Sequence, residues 1–150
     1  MTEVPSWPTQ SFSGQQAARL TSCFLSSRIP AGFPSPAQDH LEAQLSLDEL
    51  LNVRAPHTYL VRASGDSMTG VGIYDGDLLV VDRALPAYSG AVVIAALAGE
   101  VFVKRLQQDA RGISLHSANP HYPPRQINAE DELQIWGVVR HSIHRHGQHD

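Results

Sequence analysis

Lysine is almost absent from this chain. Of its 11 basic residues only Lys104 is a lysine, so ordinary solvated positive charge is carried by arginine. The distinction matters chemically, because a guanidinium stays protonated in a protein whereas a desolvated amine can lose its proton and act as a base. Cysteine is equally scarce. Cys23 stands alone, which excludes an internal disulfide and any CxxC pair and makes a reducing compartment the expectation. With no histidine or lysine near it in sequence, Cys23 reads as inert. The N-terminus lacks a basic n-region and an apolar run, and no window approaches the roughly 18 apolar residues a spanning helix needs. A cytoplasmic protein with no membrane contact is expected. No block of basic residues stands out either: the net charge is -4, so direct DNA binding through a basic face is not expected.

What remains is ordinary for a globular chain. At 150 residues, with 42% hydrophobic and 17% charged residues, there is room for one domain plus an arm. Residues 1–35 hold Pro5, Pro8, Pro30 and Pro34 among many Ser, Thr and Gln without sustained periodicity, and read as a flexible N-terminal arm. Its end, Arg28-Ile29-Pro30-Ala31-Gly32-Phe33-Pro34-Ser35-Pro36, is kept extended by its prolines. Such a segment serves as a linker, or as a protease substrate whose small Ala31 and Gly32 expose one carbonyl.

Residues 36–150 form the second part. Ser35, Pro36 and Gln38 give an N-cap signature, and Ala37, Leu41 and Leu45 then describe a short amphipathic helix. A capping box of Ser46 with Glu49 opens a briefer helix through Leu47, Leu50 and Leu51. From Thr58 onward the pattern becomes β. Thr58 to Ala63 leads into a Gly65-Asp66-Ser67-Met68 turn, and Asp75-Gly76-Asp77 turns into Leu78 to Val81. Ala91 to Leu97 and Glu100 to Leu106 flank Ala98-Gly99 as a hairpin, Ile113 to His116 and Leu133 to His144 supply further strands, and Pro120, Pro123 and Pro124 mark a loop. Many short strands and few helices predict a mainly β, barrel-like or sandwich-like domain.

The chemistry centres on Ser67 and Lys104. On the strand from Glu100 to Leu106, side chains alternate, so Lys104 shares a face with Phe102 and Leu106 while Arg105 points the other way. In isolation such a lysine is an edge-strand guard against aggregation, and Ser67 is a turn serine. Together they suggest more. A serine hydroxyl needs a neighbouring base; His40, His57, His116 and His121 are isolated, and His141, His144, His146 and His149 crowd the C-terminus as a solvated tail. A Ser-Lys pair is the remaining arrangement. Lowering a lysine pKa from ~10.4 to ~7 takes about 4.6 kcal/mol against the ammonium, which burial can supply. Backbone N–H groups at the turn, those of Ser67 and Asp66, would hold the oxyanion. Asp66, Asp75 and Asp77 sit beside glycines as turn residues, so neither a metal nor a cofactor is called for.

Ser64-Gly65-Asp66-Ser67-Met68, then Asp75-Gly76-Asp77-Leu78-Leu79-Val80-Val81-Asp82, then Val101-Phe102-Val103-Lys104-Arg105-Leu106 resemble the self-cleaving Ser-Lys peptidase domain shared by LexA and UmuD. Ala31-Gly32-Phe33-Pro34-Ser35-Pro36-Ala37 looks like the UmuD cleavage segment, although UmuD proteins can carry Cys before the scissile Gly and this chain has Ala31, as LexA does. The resemblance implies a mainly β, signal-peptidase-like fold and a homodimer. It implies Ser67 as nucleophile, Lys104 as general base and Ala31-Gly32 as the bond cut when a RecA filament on single-stranded DNA stimulates the reaction. The shortened product would then join a UmuC-type Y-family polymerase for translesion synthesis in the SOS response. A LexA-like or phage-type repressor would need a helix-turn-helix domain in the roughly 31 residues before the cleavage site, below the size at which domains usually stand alone. A signal peptidase would need a membrane anchor. A polymerase-binding subunit that never cleaves is the third alternative.

Overall fold

Continuous apolar runs mark two interior strands, Leu78-Leu79-Val80-Val81 and Val92-Val93-Ile94-Ala95-Ala96-Leu97. A strand covered on one face alternates apolar with polar residues, so runs of this kind demand cover on both. The computed structural model describes residues 21–25, 31–32 and 42–147. Its chain divides into two compact units, Met1–Ser46 and Leu47–Asp150.

In the first unit β1 (Thr21–Leu25) pairs antiparallel with β2 (Glu42–Ser46), with Cys23 opposite Gln44. This corrects two expectations. The arm is not structureless over residues 21–25, and Leu45 belongs to a strand, not to an amphipathic helix. Local capping signals favoured helix, but a five-residue ladder between distant segments outweighs them and leaves no local periodic signature. The proposed cap at Ser35 and residues 36–41 lie outside the described residues.

The second unit begins with α1 (Leu47–Leu51), the brief helix expected after Ser46. Then follow β3 (Thr58–Arg62), β4 (Leu78–Asp82), β5 (Val92–Leu97), β6 (Glu100–Asp109), β7 (Gly112–His116), β8 (Arg125–Gln126) and β9 (Gln134–Ile143). They form one antiparallel sheet in the order β3-β4-β9-β5-β6-β7-β8. The mainly β architecture expected from the sequence is therefore present. Ala98 at φ 51° and Gly99 at φ 79° make the β5–β6 turn, the two left-handed residues that a tight hairpin of this hand requires.

Two apolar clusters cover β5 from its two sides. Ile94 joins Ala63, Met68, Ile73, Leu79 and Val81 in one, whereas Val93 and Ala95 join Ala91, Leu106, Leu115 and Val138 in the other. Ala63 and Met68, 7% and 3% exposed, anchor the two ends of the turn that carries Ser67. Burial at both ends holds an otherwise exposed loop to the core.

β9 threads between β4 and β5, and its pairing slips with both, between Val80 and Val81 and between Ile94 and Ala95. Gly137 sits at this crossing. A Cβ there would lie 2.6 Å from Val81 Cγ1 and 2.9 Å from the Asp82 carbonyl oxygen, in a region with no room to yield. Gly137→Ala is accordingly expected to lower unfolding free energy by about 1–3 kcal/mol in urea titration, the usual cost of an overpacked core. An unchanged midpoint would show that the strand crossing is looser than described.

Candidate active site

The turn between Ala63 and Met68 is held by acceptors on the turn that precedes β4. Gly65 N–H donates to Asp75 Oδ1 at 2.8 Å, and Ala63 N–H donates to the Asp77 carbonyl at 2.8 Å. The Asp66 carbonyl accepts from Thr69 Oγ1 at 3.1 Å and from Asn119 Nδ2 at 3.0 Å. Because the peptide unit is planar and trans, pinning that carbonyl fixes the Ser67 N–H in the opposite direction. Among the described residues no hydrogen-bond partner engages the backbone N–H of Asp66 or of Ser67.

Ser67 and Lys104, 37 residues apart, meet at the end of this turn. Lys104 Nζ lies 3.0 Å from Ser67 Oγ and 2.9 Å from Ser117 Oγ. β6 delivers Lys104, and its pairing with Val93 of β5 fixes the register. Burial pushes the Lys104 amine below its ordinary pKa, the direction that favours a neutral base. Arg105, next along the strand, is exposed as the alternation predicted. Both Ser67 and Lys104 line a cleft of about 350 Å³ with Val61, Arg62, Ile94 and Phe102. Ala31 and Gly32 are exposed residues of the N-terminal unit.

Sequence reasoning missed what the loop after β7 touches. Gly70 N–H donates to the Ala118 carbonyl at 2.7 Å, and a Cβ on Gly70 would sit 2.4 Å from that oxygen. Tyr122 donates its hydroxyl to Asp66 Oδ1 at 2.6 Å, which raises the phenol above its usual pKa, and its ring centroid lies 5.7 Å from Lys104 Nζ. Its prolines identified a loop, but nothing local in sequence says which distant turn a loop will meet.

A further correction concerns the C-terminal histidines. His144 is not part of a solvated tail: its Nδ1 lies 2.5 Å from Oδ1 of Asp77, a residue only 2% exposed. His144 also stacks obliquely on Tyr74 and meets His146 edge-on, with centroids 4.8 Å apart in each case. Asp75 and Asp77 are turn acceptors as expected; Asp77 Oδ2 takes the Tyr74 N–H at 2.8 Å.

Residues 24–140 match the Peptidase S24-like family. The chain belongs to this family. Its members are self-cleaving serine peptidases. Among curated relatives, protein SamA of Salmonella typhimurium strain LT2 is 45% identical over 131 residues, which is 87% of this chain and 91% of SamA. Protein MucA of Escherichia coli is 42% identical over 137 residues, covering 90% and 93%. Protein ImpA of Shigella flexneri is 44% identical over 119 residues, covering 79% and 80%. These are UmuD-like proteins, and the S24 chain described here shares their UmuD-like role in SOS mutagenesis. UmuD-like proteins in general form homodimers and work with an error-prone polymerase. Among the described residues no helix is long and apolar enough to cross a membrane.

Asp77 supports this S24 site from behind, because its turn also presents Asp75 to Gly65. Burial would raise the Asp77 carboxyl, but the Tyr74 N–H and the His144 contact, with the charge of His146, outweigh it and hold the pKa below the ordinary value. Folded Asp77 thus releases its proton more readily than unfolded Asp77. The stability it confers is complete above about pH 3.9, the unfolded value, and is lost as pH falls through the lower folded value. Urea unfolding should show the parent more stable than Asp77→Asn near neutrality, with the gap closing in acid. A gap that stays constant through that range would remove Asp77 as the acid-sensitive tie.

Proposed function

We propose that Ser67 and Lys104 are the nucleophile and general base of this S24 chain and that the bond they cut is Ala31–Gly32. The observation that carries the reading is the 3.0 Å approach of Lys104 Nζ to Ser67 Oγ, with the amine partly withdrawn from water. Neutral Lys104 accepts the Ser67 proton as Oγ attacks the Ala31 carbonyl carbon. The resulting oxyanion is met by the backbone N–H groups of Ser67 and Asp66. Collapse of the tetrahedral species breaks the C–N bond, and the Lys104 ammonium returns its proton to the Gly32 amine. Water, deprotonated by the same amine, then hydrolyses the Ser67 ester and frees the Ala31 carboxylate. No metal or cofactor enters any step.

Ala31 and Gly32 support the choice of bond because both are small and exposed. A RecA filament on single-stranded DNA would stimulate the cut in the cytoplasm. The shortened chain, as a homodimer, would then serve a UmuC-type Y-family polymerase in translesion synthesis.

Cleavage requires uncharged Lys104, so its rate rises with pH through the folded pKa of that amine, which burial places below the ordinary lysine value of about 10.4. Purified protein held in mild alkali should cut itself without a partner, and mass spectrometry should find the break after Ala31. Ser67→Ala and Lys104→Arg should each slow this by several orders of magnitude, since members of one catalytic unit fail together. Persistence of the full-length mass in alkali, or equal cutting by Ser67→Ala, would overturn the assignment. Lys104→Arg that supports SOS mutagenesis normally would favour a binding subunit that needs no cut.

A further inference from the structure

Lys104 Nζ has two hydroxyl partners, and the reaction proposed above uses one. The other is Ser117 Oγ at 2.9 Å, in the first residue after β7. We propose that Ser117 is a positioning residue that turns the Lys104 amine toward Ser67, an inference that rests on the Ser67–Lys104 reading.

A neutral lysine amine has two N–H donors and one lone pair on a flexible four-carbon stem. Base catalysis needs that lone pair aimed at the Ser67 hydroxyl, and nothing on the strand itself can aim it. The same-face neighbours of Lys104 on β6 are Phe102 and Leu106, which offer no polar atom. Among the described residues the hydrogen-bonding partners of Nζ are Ser67 and Ser117 alone. One N–H donated to Ser117 therefore restricts rotation about the terminal carbon–nitrogen bond and leaves the lone pair to accept from Ser67. Access tells the two serines apart, because Ser67 lines the cleft with Lys104 and Ser117 does not. Ser117 thus acts through the amine and never on a substrate carbonyl.

The loop that carries Ser117 is held for this task. The Gly70–Ala118 bond at 2.7 Å, the Asn119 bond to the Asp66 carbonyl and the Tyr122 bond to the Asp66 carboxylate fasten it to the turn that carries Ser67. Nucleophile and orienting hydroxyl therefore keep a fixed spacing, with the amine between them. The charged and titratable groups around the amine are Tyr122 from the same loop, Asp66 from the turn and Arg62 from β3, which lines the cleft.

Ser117→Thr and Ser117→Val have the same shape and differ in the hydroxyl, so comparing them separates an orienting bond from mere packing. In alkaline self-cleavage across a range of pH, Ser117→Val should lose about tenfold in plateau rate, the worth of one hydrogen bond, while Ser117→Thr keeps most of the parent rate. The acid limb of the Ser117→Val profile should move to lower pH, because the ammonium has lost an acceptor. A disturbed loop would affect both variants alike. Direct titration comes from lysine-selective isotope labelling in the Ser67→Ala background, which keeps the chain intact; with one lysine in the sequence, the side-chain signal is that of Lys104. Its midpoint should fall for Ser117→Val relative to Ser117→Thr. Equal plateau rates and equal midpoints for the two variants, with Ser67→Ala inert, would overturn the role of Ser117 and leave the Ser67–Lys104 reading standing. Ser67→Ala that cuts at the parent rate would overturn both.

Discussion

An ammonium group is at ease in water, and the cost of removing it from water is what this site turns to chemical use. The burial that depresses the Lys104 pKa comes from its place on β6, beside the apolar residues of the cleft and across from Val93. It must be only partial. A fully enclosed amine could not reach a substrate, and a fully exposed one would stay charged. The half-buried position at the wall of a cleft meets both demands, and the sheet order β9-β5-β6 exists in part to hold it there.

Rigidity around that amine is assembled from bonds between segments far apart in the chain. Asp66 serves through its backbone and its side chain at once, accepting from Thr69, Asn119 and Tyr122. Asp75 and Asp77 brace the other side of the same turn through Gly65, Ala63 and Tyr74. The carboxylates therefore act as acceptors for a loop whose backbone donors would otherwise face water, and the loop can stay exposed and still keep one shape.

Much of this was legible in the residues. The strands from Thr58 onward follow from apolar runs and glycine turns, the β5–β6 hairpin from Ala98-Gly99, and the meeting of Ser67 with Lys104 from a lysine too rare to be ordinary surface charge. What escaped has one physical cause. The β1–β2 ladder, the loop at Ser117 and Tyr122, and the Asp77–His144 contact all join segments from 13 to 67 residues apart. Periodicity reports only the face a residue presents, never what it will face. For Leu45 the error ran the other way, because helix signals visible locally gave way to a strand partner that was not.

The seven-stranded sheet ends differently on its two sides. β8, at one margin, spans two residues and exposes too little backbone to bind another chain. β3, at the opposite margin, runs five residues and flows directly into the turn that carries Ser67. The longer margin of the sheet is thus the one that leads into the site.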